Sequence, residues 1–151
     1  MAARLPNEKV EGRLVAEWVE ATWPDRTIPR TYNLKLGRLP EELIAALGIK
    51  PTYFTRARWF CDCVVEEPDK LVLIEGKIEQ ESSAVGQLLF YRWLIDRTQD
   101  FPYSKDKPRE LVLLVTREIE DLELFAKEIG IQVEHYEPAW IMPHLERRTR
   151  R

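Results

Sequence analysis

The chain has 151 residues, 44% of them apolar and 32% charged, and 23 Lys+Arg against 26 Asp+Glu leave a formal charge of −3. That composition predicts one globular domain over 1–151 with its own core. It excludes a disordered chain and a generic polycation that coats nucleic acid or membrane, while leaving room for a local basic groove. The two cysteines, in Cys61-Asp62-Cys63, exclude a disulfide scaffold and are too few for a Cys-rich zinc or iron–sulfur site. Strand alternation predicts that they share one face, as small buried residues in a reducing compartment.

The segment Met1–Glu8 has no apolar signal core, and no uncharged apolar run approaches the roughly 18 residues of a membrane span. A soluble, cytoplasmic protein without a membrane partner is therefore expected. Val10, Leu14, Val15, Trp18 and Val19 recur at helical spacing over 8–22, and Pro24-Asp25 ends that helix. Residues 26–36 read as extended, with Pro29 marking an edge or bulge. Pro40-Glu41-Glu42 opens a short helix that Gly48 closes. Strands over 53–65 and 71–78 flank the turn Glu66–Lys70 as a hairpin. Ser82 or Ser83 caps a long helix over 84–97. Leu111–Val115 has the unbroken apolar character of a strand buried on both faces. A helix over 118–129 is closed by Gly130, Ile131–Tyr136 is a last strand, and 137–151 is a tail rich in arginine. Helices that cross between strands imply an α/β fold, a mixed sheet flanked by helices. Trp18, Trp59 and Trp93 are expected in the core, and Trp23 and Trp140 are read as core ahead of stacking platforms.

The hairpin carries the chemistry. On its first strand Phe54, Arg56, Arg58, Phe60, Asp62 and Val64 share a face; on its second, Leu71, Leu73, Glu75 and Lys77 share one. Val72, Ile74, Gly76 and Ile78 form the other face and read as core. Glu75 and Lys77 thus emerge at the end of an apolar strand, and Asp62 ends another apolar stretch. Carboxylates in such places are costly unless a cation or hydrogen bonds compensate them. Oxygen ligands of this kind suit Mg²⁺ or Mn²⁺. On the following helix, Gln87 and Tyr91 stand four residues apart on one face of an otherwise apolar segment. Of eight lysines, only Lys77 has an acid two residues before it.

Asp62, twelve residues, then Glu75-Gly76-Lys77 resembles the motif of PD-(D/E)xK nucleases. Gln87-Leu88-Leu89-Phe90-Tyr91 resembles the QxxxY helix motif of RecB-like members. Val10–Val15 resembles the first helix of archaeal Holliday-junction resolvases, where a glutamate joins the metal site. Glu11 shares a face with Val15 and Trp18 and is favoured for that role; Glu17 is the fallback, and Glu8 lies on the same helix. The resemblance covers about 8–136. It implies a restriction-endonuclease-like αβββαβ core with an extra C-terminal helix and strand. Three departures stand out: Cys61 in place of a proline before Asp62, Gly76 where a branched apolar residue is commoner, and the insertion 38–50.

The resemblance further implies metal-dependent hydrolysis of DNA phosphodiester bonds, in recombination, repair, phage or defence. Asp62, Glu75 and the Gly76 carbonyl would bind Mg²⁺ or Mn²⁺, and Glu11 a second ion or a metal water. Lys77 would orient the attacking water or stabilise charge, with Gln87 and Tyr91 positioning. Arg56 and Arg58, on the face of Asp62, are the favoured phosphate contacts. Lys105, Lys107 and Arg109, and the terminal arginines, are further basic clusters. Nothing resembles a base-reading module, so the expectation is recognition of structure or ends, or a homodimer or a protein partner that supplies specificity. The alternative function is a catalytically inactive nuclease-fold protein with a structural, assembly or DNA-binding role, for example in a phage particle.

Overall fold

The computed structural model describes residues 6–38, 45, 48, 58–79 and 82–149, the side chains of 6–9 and 148 excepted. In chain order the elements are α1 (Pro6–Thr22), β1 (Arg30–Leu36), β2 (Trp59–Glu66), β3 (Leu71–Lys77), α2 (Ser83–Ile95), β4 (Arg109–Val115), α3 (Glu120–Glu128), β5 (Ile131–His135) and α4 (Ile141–Thr149). The expected short helix after Pro40 and the start of the expected strand 53–65 fall outside the described residues. The five strands form one sheet in the order β1-β2-β3-β4-β5. β1, β2 and β3 pair antiparallel, whereas β3, β4 and β5 pair parallel. The parallel neighbours are joined through α2 and α3, as parallel pairing requires.

Two cores lie on the two sides of this sheet. Leu14, Val15 and Val19 of α1 pack on Cys63, Val65, Val72, Ile74, Val112 and Leu114. Ala84, Val85, Leu88, Tyr91, Leu94 and Ile95 of α2 pack on Leu71, Leu73, Leu111, Leu113 and Val115. β3 and β4 therefore feed both cores with alternate residues. That is why Leu-Val-Leu-Ile and Leu-Val-Leu-Leu-Val are apolar without interruption. The expected division of β3 into one core face and one chemical face holds only at its end, from Glu75 onward.

Two expectations change. The segment read only as an arginine-rich tail carries a helix, 141–149, whose Ile141 is fully buried in the α1-side core. The Trp140 indole N–H also donates to Glu17 at 2.7 Å. Its signal was hidden because the helix is short, charged and carries Pro143 in its first turn, a position a helix tolerates. Cys61 and Cys63 are both buried but lie on opposite sides of the sheet, Cys61 with the α2 core and Cys63 with the α1 core. The β1–β2 ladder passes from Tyr32–Cys63 to Leu34–Cys61 and skips Asn33 and Asp62 between them. Asn33 there has φ 51°, the left-handed conformation that asparagine tolerates better than most residues. This irregularity shifts the alternation by one residue.

Candidate active site

The site forms where two strands part. The β2–β3 ladder ends at Cys63–Ile74. Beyond it, β2 stays with β1 as far as Trp59, while β3 stays with β4 as far as Lys77. The separation opens a cavity of about 380 Å³, lined by Glu11 of α1, Asn33, Phe60, Asp62, Glu75, Lys77 and by Gln87 and Tyr91 of α2. Helices on both faces of the sheet thus reach one opening.

Asp62 bridges the gap that the ladder leaves: its Oδ2 accepts the Gly76 backbone N–H at 2.9 Å. In return, the backbone of Asp62 hydrogen-bonds the Glu75 carboxylate. The glycine is required by close approach. A Cβ on Gly76 would stand 2.5 Å from Val15 Cγ2 and 3.8 Å from Asp62 Oδ2. Gly76 therefore lets β3 lie against α1 while its N–H serves Asp62.

Glu75 is the most perturbed acid. It is 4% exposed, and burial, followed by the charge of Asp62, pushes its carboxyl up to about 8 against the pull of Lys77. Lys77 Nζ lies 3.5 Å from Glu75 Oε1 and 3.7 Å from Glu11 Oε2. Glu11 Oε1 also accepts the Ile78 N–H at 3.5 Å. Tyr91 is almost fully buried, and burial followed by the charge of Glu75 raises its phenol far above the ordinary value. It stays a neutral O–H donor at any working pH. Gln87 lies one helical turn before it.

No protein-family model and no curated protein matches this chain. Three solved structures do match. A protein from Vibrio cholerae superposes with a TM-score of 0.50 at 19% identity, over 82% of this chain and 29% of its own. A repair endonuclease from Pyrococcus abyssi superposes with a TM-score of 0.49 at 14% identity, over 82% of this chain and 47% of its own. A protein of unknown function does so with a TM-score of 0.48 at 10% identity, over 81% and 56%. This chain spans less than two thirds of the length of each. Its core runs α1-β1-β2-β3-α2-β4, the expected αβββαβ order, on one mixed sheet. The fold is restriction-endonuclease-like.

Within this fold the expected residues Glu11, Asp62, Glu75, Lys77, Gln87 and Tyr91 converge on one cavity. Glu17 does not join them, for it is held by Trp140, Arg13 and Tyr136. The Glu8 side chain and Arg56 lie outside the described residues. Arg58, expected as a phosphate contact, is turned inward instead. Its side chain is 4% exposed and lies 2.6 Å from Asp100, and its guanidinium also donates to the Lys35 and Gly37 carbonyls. The alternation that put Arg58 with Asp62 does not carry across the Trp59 end of β2. The second basic cluster is largely spent on ion pairs, Lys107 with Glu66 and Arg109 with Asp96. Asn33 and Phe60 are cavity residues that sequence reasoning did not single out. Phe60 stood on the right face two residues before Asp62, whereas Asn33 carried no motif.

The oxygen chemistry fits a hard cation. Two buried acceptor atoms of residues lining this cavity, Glu75 Oε2 and Gln87 Oε1, have no hydrogen-bond partner among the described residues. Oxygens of this kind, beside a second carboxylate, suit an ion that keeps several waters and takes only one or two carboxylates from the protein. A closed cage is not preformed: among the described residues no group of three or more His, Cys, Asp or Glu is gathered at ligating distance.

Proposed function

We propose that this chain is a divalent-metal-dependent nuclease that hydrolyses DNA phosphodiester bonds. The observation that carries the reading is Glu75. A carboxylate buried beside Asp62, with one oxygen lacking a partner among the described residues, is held at a cost that a cation would offset. Asp62, Glu75 and the Gly76 carbonyl would hold Mg²⁺ or Mn²⁺. When bound, such an ion polarises a phosphate oxygen and lowers the pKa of a coordinated water.

The remaining chemistry belongs to the side chains. Lys77, between Glu11 and Glu75, keeps both carboxylates in place and offers its ammonium to a phosphate oxygen entering the cavity. The phenol of Tyr91 is a donor fixed in a dry wall. Gln87 offers its amide N–H groups to a backbone oxygen. Phe60 adds an apolar ring to the cavity lining.

The test is incubation of the protein with labelled linear, circular, single-stranded and four-way-junction DNA in Mg²⁺ or Mn²⁺, beside Asp62→Ala and Lys77→Ala. Cleavage lost in both variants supports the reading and identifies the preferred substrate. No cleavage of any substrate by folded wild type refutes it.

A further inference from the structure

Two tryptophans expected in the core are on the surface. Trp59 is 52% exposed and Trp93 50%. They are linked through Phe90 of α2. The Trp59 and Phe90 rings meet edge to face with centroids 5.0 Å apart, and Phe90 and Trp93 stack at 6.0 Å with 18° between planes. Arg97 lies over the open row, its guanidinium 3.5 Å from the Trp93 ring centroid. Phe90 and Trp93 stand at i and i+3 on the outer flank of α2, and Arg97 follows in the turn just past the helix's C-cap, Asp96. The inner flank of the same helix carries Gln87 and Tyr91 into the cavity. Gln87 and Phe90 are one turn apart, so the aromatic row begins where the cavity ends.

Along α2 and the turn that follows it, the acids are already paired. Between residues 83 and 100 the acids are Asp96 and Asp100, and both are neutralised, by Arg109 and by Arg58, each at 2.6 Å. Arg97 supplies the positive charge at the row itself, stacked on the Trp93 ring. Exposed rings of this size lose free energy to water unless something covers them. Rings in series with cations beside them match successive bases joined by phosphates, because every base offers a π-face and every linkage a negative charge.

We propose that the Trp59–Phe90–Trp93 row, with Arg97, is a stacking platform for a single-stranded stretch of nucleic acid that runs into the cavity. The proposal rests on the nuclease reading for where the strand leads, and deepens it: the substrate is a strand with unpaired bases at or beside the cleaved bond. A blunt duplex, whose bases are stacked on each other, cannot use the row.

The test needs no catalysis. In EDTA, anisotropy of a labelled 12-mer oligothymidylate and of a duplex of equal length is followed with wild type, Trp93→Ala, Trp93→Phe and Arg97→Gln. The expected result is a preference for the single strand, weakened roughly ten-fold or more by Trp93→Ala and restored by Trp93→Phe. Arg97→Gln lowers the slope of log affinity against log salt by about 0.7, one phosphate on a single strand. Equal affinity for both DNAs, or no change in Trp93→Ala, overturns the platform. So does self-association of wild type in sedimentation velocity that Trp93→Ala abolishes while oligonucleotide binding is absent. Cleavage with no role for Trp93 removes the platform and leaves the nuclease. Trp93-dependent binding without cleavage does the reverse.

Discussion

Glu75→Gln isolates the electrostatic cost at the centre of the site. Glu75 has an ordinary value of 4.5 and is pushed up to about 8 in the folded protein, chiefly by burial. Between these limits the folded state keeps a proton that the unfolded chain has released. More protons bound in the folded state means that stability falls as pH rises. The fall begins above the unfolded value, continues to about 8 and then stops. At 1.36 kcal/mol per pH unit it amounts to something on the order of 5 kcal/mol. Acids with lowered values, such as Glu17, Asp96 and Asp100, act in the opposite sense and below this window, so they do not mask it. Glutamine keeps the shape and removes the charge. Urea melts in EDTA at pH 5, 7 and 9 should show the variant close to wild type at pH 5 and well above it at pH 9. Adding Mn²⁺ at pH 8 should then stabilise wild type, by roughly 2.7 kcal/mol at a hundred-fold excess over its Kd, and leave the variant unmoved. A wild type whose stability is flat or rising between pH 5 and 8 would falsify the burial argument.

Gly76→Ala forces a methyl to 2.5 Å from Val15 Cγ2, an overpacking that should cost about 1–3 kcal/mol in chemical denaturation; combining it with Val15→Ala should recover part of the loss, and an additive double variant contradicts the clash. Asp100→Asn leaves the buried Arg58 guanidinium without its counter-charge, so a loss of about 1–3 kcal/mol is expected at pH 7. Because pairing with Arg58 lowers the Asp100 carboxyl, the wild-type advantage is present above the unfolded value and disappears as pH falls through the folded one; an advantage that persists at pH 2 speaks against the ion pair. Ile141→Ala, at a fully buried position, should lower stability by about 2–5 kcal/mol, and a loss under 1 kcal/mol would mean that α4 is not seated on α1.

Much of the fold could be read in advance because its determinants are local. The spacing of Leu14, Val15 and Val19, the unbroken apolar runs of β3 and β4, and Gly130 with its φ of 83° each speak through a few neighbouring residues. Asp62, Glu75, Lys77, Gln87 and Tyr91 were legible as a set for a related reason. A charge at the end of an apolar strand, or an amide on an apolar helix, stands out against its surroundings. Arg58 was misjudged because a strand's alternation predicts a face and not what waits there. Its destination depended on Asp100, 42 residues further on. The two cysteines were placed on one face because nothing near them announced the irregularity at Asn33 and Asp62. Trp59 and Trp93 read as core because large rings usually are, and only the packing leaves them half-exposed.

The sequence by itself determined the order of the elements and which polar groups sit in apolar company, since both depend on chain neighbours. Only the tertiary structure decided that β2 and β3 part after Cys63–Ile74, that two helices from opposite faces reach the opening, and that α2 turns an aromatic row outward beside it. Those outcomes depend on which distant strand competes for each backbone hydrogen bond and on which volume each helix must fill. Neither is written in any one segment.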